Sequence, residues 1–109
     1  MSDALKVLGQ SYPASATLTA LYTVPGGTSA AASSLVACNQ AAYSANVRLS
    51  VAVAGAADEA KQYLVYDALL FANETKTFTI GPTLATTDVV RVQSSSGTVS
   101  FNLFGAEIT

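Results

Sequence analysis

The sequence contains no histidine and no tryptophan, and its single cysteine is Cys38. Without histidine there is no Ser-His triad, no imidazole general base and no histidine-ligated zinc site. One cysteine leaves no intrachain disulfide and no multi-cysteine metal site. Flanked by Val36 and Ala37, Cys38 reads as a small buried hydrophobe. Charge is also scarce: 11% of residues are charged, against about 25% in an average soluble domain. The five cations, Lys6, Arg48, Lys61, Lys76 and Arg91, stand singly, so there is no basic stripe to neutralise phosphates and nucleic acid is not an expected partner. No apolar run approaches the roughly 20 residues that cross a bilayer, so no membrane partner is expected. The start, MSDALKVLGQ, lacks the basic n-region and long apolar h-region of a signal peptide. Maturation in a cytoplasm follows as the expectation.

In place of charge the chain has small neutral residues. Ala, Ser and Thr supply 44 of 109 positions. A surface built from them loses little side-chain entropy and little hydration when another protein covers it, which predicts life in an assembly. At this length the chain reads as one domain, with residues 1–12 as an N-terminal arm or edge strand and 13–109 as the body.

Period-two segments recur with turn residues between them. In 15–24, Leu18, Ala20, Tyr22 and Val24 share one face while Thr17, Thr19, Leu21 and Thr23 share the other. Pro25-Gly26-Gly27 then predicts a turn over Val24 to Gly27, because proline presets φ and glycine supplies the positive φ of a type II turn. SAAASSLVACN resumes an extended path. ANVRLSVAVAG places Val47, Leu49, Val51 and Val53 opposite Arg48, Ser50, Ala52 and Ala54. QYLVYDALL fits a strand with Tyr63, Val65, Asp67 and Leu69 on one side; read with the preceding GAADEAKQ loop it also fits a helix of about three turns. Asn73-Glu74 marks a turn, ANETKTFTIGP and TTDVVRVQS read as strands, and Ser94-Ser95-Ser96-Gly97 reads as a hairpin loop. The last segment puts Val99, Phe101 and Leu103 inward and Ser100 and Asn102 outward, with Gly105 as a bulge. Seven to eight short strands without alternating helices predict an all-β fold, a single antiparallel β-sandwich or jelly roll.

Seven carboxylates remain: Asp3, Asp58, Glu59, Asp67, Glu74, Asp88 and Glu107. Each lies beside a turn or on a polar strand face and reads as solvated or turn-capping. Asp58-Glu59 lacks the spacing of a calcium loop, and Gly26-Gly27 lies in no phosphate-loop frame. The expectation is a protein that is not an enzyme, with no catalytic, metal or cofactor-binding residue. The candidate interface residues are apolar or amphipathic: Leu5 and Val7 in the first segment, Tyr12 beside Pro13, and Tyr63 with Tyr66.

The stretches LKVLGQ, LYTVPGGTSAAASSLVACN and DVVRVQSSSGTVSFNLFGAEIT resemble a group of small virion structural proteins of tailed bacteriophages. Where members of that group continue the CN pair with a basic residue and glycine, this chain has Gln40-Ala41. The resemblance implies a virion component assembled in the host cytoplasm. Its first implied placement is a capsid decoration or cement protein, a trimer that contacts the major capsid protein or other virion proteins and bridges capsomers. A tail, neck or fibre component is the second. A third reading, from the residues, is a small carbohydrate-binding domain using Tyr63, Tyr66 and Asp67.

Overall fold

A computed structural model describes residues 3–109, with side chains from Ala4 onward. Nine strands are found among them: β1 (Asp3–Ser11), β2 (Thr19–Thr23), β3 (Ser29–Asn39), β4 (Ala45–Ala52), β5 (Tyr63–Leu70), β6 (Thr75–Thr79), β7 (Thr83–Leu84), β8 (Val89–Ser94) and β9 (Val99–Ile108). The ninth beyond the expected eight is β7, two residues too short to show a period. All pairings are antiparallel. One sheet runs β1-β9-β3-β6 with β7 also on β3, and the other runs β2-β8-β4-β5. The pairs β1·β9, β2·β8, β3·β6 and β4·β5 nest from the chain ends inward, as in one long hairpin rolled into two layers. That is the double-sheet jelly roll.

The core lies between the layers. Phe101, Leu103 and Leu35 from the first sheet meet Val47, Leu49, Leu70 and Val92 from the second, each at most 1% exposed. Burying each such side chain stabilises the fold by about 1.5–3 kcal/mol. Val99, Phe101 and Leu103 point inward and Ser100 and Asn102 outward, as the period of β9 predicts.

Several expectations are corrected. Ser94–Gly97 is not a hairpin loop, because β8 pairs with β2 and β4 while β9 pairs with β1 and β3; the loop crosses between sheets, and both flanking strands turn their apolar faces to the same core from opposite sides. The Pro25 turn sits one residue later, with the positive φ at Gly27. Leu21, assigned to the threonine face, is buried because the β2–β8 register shifts between Ala20 and Tyr22. Val53 is 70% exposed because β4 ends at Ala52 and a 3-10 turn (Val53–Gly55) follows. Residues 63–70 form a strand, preceded by only a 3-10 turn at Ala60–Gln62. Cys38 is half-buried on the outward side of β3, opposite Ser100. Gly105 does bring bulges, but the extra residues are Leu8 on β1 and Ser33 on β3, the strands on either side of it.

Candidate interaction surfaces

The five candidate residues fall on two opposite faces. Leu5, Val7 and Tyr12 belong to β1 and the segment just after it, whereas Tyr63 and Tyr66 lie on β5 of the other sheet. The structure does not bring the two groups together.

On the first sheet, β1 is an edge strand. Val7 pairs with Phe104 and Leu5 with Ala106, so these four project to the same outward face. Ala31 of β3 pairs with Ala106 and joins them. Together with Lys6, Ser33 and Gly105 they line an open groove of about 490 Å³. Leu5 is 89% exposed, Val7 44% and Phe104 36%. Phe104 was missed, yet its signal was present: it continues the outward parity of Ser100 and Asn102. Further along the same two strands a second recess, about 340 Å³, is lined by Gln10, Tyr12, Ser100 and Asn102.

Among the described side chains no charged residue has an outward register on this sheet, although Lys6 borders the groove and the backbone of Asp3 shares the register of Leu5. Lys6 pairs with Gly105, Glu107 with Ala30 and Lys76 with Ala37, all inward registers. Each is held there. Lys6 Nζ donates to Glu107 Oε1 at 3.0 Å, the Tyr22 hydroxyl donates to Glu107 Oε2 at 2.6 Å from the other sheet, and Lys76 Nζ donates to the Leu69 carbonyl at 2.7 Å. The remaining outward positions of β3 and β6 are filled by Ser29, Ser34, Val36, Cys38, Thr75, Thr77 and Thr79.

Glu107 therefore ties the two layers together, and this has a pH signature. The Tyr22 hydrogen bond first, and Lys6 second, hold its carboxyl below the usual 4.5. A depressed folded pKa adds stability that is present above the unfolded value and lost as pH falls through the folded one. The thermal midpoint of the wild type should exceed that of Glu107→Gln most at pH 7, and the gap should shrink below pH 4.5. A gap of constant size from pH 7 to 3 would refute the linkage. Burial, and then Glu107, push the Tyr22 phenol up.

The opposite face is built differently. In the β4–β5 ladder, Val47 pairs with Ala68 and Leu49 with Val65, so Arg48 alone faces both Tyr66 and Asp67. This bulge rests on Asp67 at φ 56°, a left-handed conformation that Asp tolerates better than most residues. As a result Arg48 grips Asp67 with both arms, Nε to Oδ1 at 2.6 Å and Nη2 to Oδ2 at 3.1 Å. Its guanidinium also lies 4.1 Å from the Tyr66 ring centre, and Tyr63 meets Tyr66 edge-on at 5.2 Å. The Tyr63 hydroxyl donates to Asp58 Oδ2 at 3.0 Å. Arg48 holds the Asp67 carboxyl below its ordinary value. The bulge also corrects the predicted facing of β5: Asp67 and Leu69 are exposed, and Ala68 and Leu70 take the inward places.

No known protein family matches the chain, and no curated protein does. A solved structure does. One chain in the structure of the infectious bursal disease virus Gx strain superimposes on 97% of this protein with a TM-score of 0.55, at 12% identity. At that identity the likeness is one of fold. The matched region is 32% of that longer chain, so this protein spans about a third of its length.

Proposed function

We propose that the protein is a structural component of a virus particle, acting by binding rather than catalysis, and specifically a decoration or cement protein of a tailed-phage head. The observation that carries this reading is the outer face of the β1 sheet, where Leu5, Val7 and Phe104 stand exposed beside an open groove. Exposed apolar patches of this kind mark surfaces that other proteins cover. Jelly rolls serve viral shells, lectins and other roles alike, so the fold by itself does not choose among them. The shared fold with a chain of a virus structure and the phage-like sequence stretches favour the particle.

A cement protein stabilises a head because it binds the assembled shell and not the separated subunits. The carbohydrate reading loses support from the geometry. The Arg48 guanidinium lies over the Tyr66 ring and Asp67 is engaged at both oxygens, so the groups that a sugar would stack on and bond to already have partners.

The test is addition of the purified protein to heads lacking it. Saturable binding of many copies per head, with a raised temperature of head disruption, is the expected result. Binding of only a few copies, at a vertex or on tails, would reject the decoration role.

A further inference from the structure

We infer that the recess at the connection between β4 and β5 binds a small apolar ring carrying one N–H or O–H donor, a compound of the indole or phenol class. The connection begins and ends in 3-10 turns, Val53–Gly55 and Ala60–Gln62. With Val51 near the end of β4 it forms a recess of about 440 Å³, lined by Val51, Val53, Ala56, Glu59, Lys61 and Gln62.

Gln62 is the group that points to a ligand. It is 7% exposed, and its Nε2 donates to the Ala57 carbonyl at 2.8 Å. Only the NH₂ end of the amide can donate to a carbonyl, so this bond fixes the orientation of the side chain. Oε1 is left shielded from water and without a partner. Buried polar atoms in folded proteins are almost always paired. Among the described residues two buried side-chain atoms are not, Gln62 Oε1 and Ser50 Oγ. Both belong to one small region, because Ser50 pairs with Tyr63, the residue after Gln62. An acceptor left unmet beside a recess fits a donor supplied from outside.

The other walls set the class of ligand. Val51, Val53 and Ala56 offer only methyl groups, and Val53 stands largely in water, so a flat apolar ring laid against it removes apolar surface from solvent. Lys61 and Glu59 are joined to each other at 3.3 Å and present no net charge to an ion. Apolar walls with one or two placed polar groups are the usual make-up of a small-molecule site. Gln62 Oε1 accepts and cannot donate, so a carboxylate or ketone would meet it lone pair to lone pair, whereas an indole N–H or a phenol O–H completes it. The Lys61–Glu59 pair is exposed on both sides, and such a pair parts at little cost. That is the side of the recess that yields to admit the donor. Nothing in this depends on the particle role.

Titration of ¹⁵N-labelled protein with indole and with 1-methylindole is the test. The two rings share a shape to within one methyl group, and only indole has the donor. Indole should give saturable shifts at the amides of Val51, Val53, Ala56 and residues 59–62, and 1-methylindole should bind about tenfold more weakly, the worth of one hydrogen bond. Gln62→Leu should erase that preference. Val53→Asp, at a position exposed enough to leave folding intact, should weaken both compounds with the circular dichroism unchanged. Tyr12→Ala, on the other sheet, should change neither constant. Absence of saturable shifts at these amides overturns the inference, as do equal affinities for the two compounds in the wild type or binding that Val53→Asp leaves intact. Loss of binding in Tyr12→Ala would place the ring on an exposed tyrosine instead and overturn it too. Head binding is measured separately, so none of these failures touches the decoration reading.

Discussion

Gly105→Ala is expected to leave little folded protein. A Cβ at this position would drive into the Ala31 carbonyl oxygen and lie 2.9 Å from Ala32 Cα and 3.0 Å from Leu8 Cδ1. The first two are backbone atoms of β3, the strand paired with β9 along its whole length. They cannot retreat without opening that ladder. Bulges at Leu8 and Ser33 flank the close approach on both neighbouring strands. Overpacking against side chains costs about 1–3 kcal/mol; against backbone the loss should exceed about 3 kcal/mol, a large part of a domain stability of about 5–15 kcal/mol. Gly9→Ala should behave similarly, since its Cβ would meet the Leu21 carbonyl group of the facing sheet. Gly26→Ala is the control, with nothing within 4 Å of the added atom. Urea unfolding midpoints measure all three. A Gly105→Ala protein within about 0.5 kcal/mol of wild type would mean that the strands around it yield far more easily than their pairing implies.

Asn39→Leu is expected to cost nearly as much, for the opposite reason. Asn39 is 1% exposed at the end of β3, and its amide is fully used. Nδ2 donates to the carbonyls of Tyr43 at 2.7 Å and Phe71 at 3.2 Å, while Oδ1 accepts from the Ala41 amide at 3.2 Å and the Thr98 hydroxyl at 3.0 Å. One side chain therefore pins three loops at one end of the sandwich. Leucine is of similar size but leaves the Tyr43 carbonyl and the Ala41 amide without this partner, each costing about 1–3 kcal/mol where it cannot reach water, while the Phe71 carbonyl keeps the Glu74 amide and the Thr98 hydroxyl keeps Ser96. A total near 4 kcal/mol is expected, less whatever water recovers. Asn39→Asp keeps the acceptors and loses both donors, and adds a buried negative charge facing two carbonyl oxygens. Its stability should improve on acidification, as protonation restores one donor. Hydrogen exchange of residues 40–44 and 71–74 gives the second readout: fast exchange there with the core still protected would show the loops released. If Asn39→Leu unfolded at the wild-type urea midpoint, the hub would carry no weight.

Much of the architecture was legible in local pattern. The alternation of Val47, Leu49 and Val99, Phe101, Leu103 gave the inward faces of β4 and β9, and the spacing of turns marked eight of nine strands. Phe104 could have been read as outward by the same parity. The misreadings cluster where the chain departs from strict alternation. Leu21 and Asp67 sit at register shifts, and a bulge moves every following side chain to the other face without any sequence rule announcing it. The Arg48–Asp67–Tyr66 cluster exists only because of one such bulge, and the groove beside Leu5 only because β1 finds β9 about a hundred residues away.

The sequence by itself determined that this is an all-β protein poor in charge, because periodicity and composition are local and additive properties of the chain. Which strands became neighbours was decided by the tertiary structure alone. An apolar strand face can be buried against any other apolar face of similar length, so Ser94–Gly97 looks the same whether it joins paired strands or crosses from one sheet to the other. The segregation of charge was likewise a tertiary outcome. Lys6, Lys76 and Glu107 are spread across the sequence, and only the rolled hairpin, with β1, β3, β6 and β9 in one layer, gives all three an inward register.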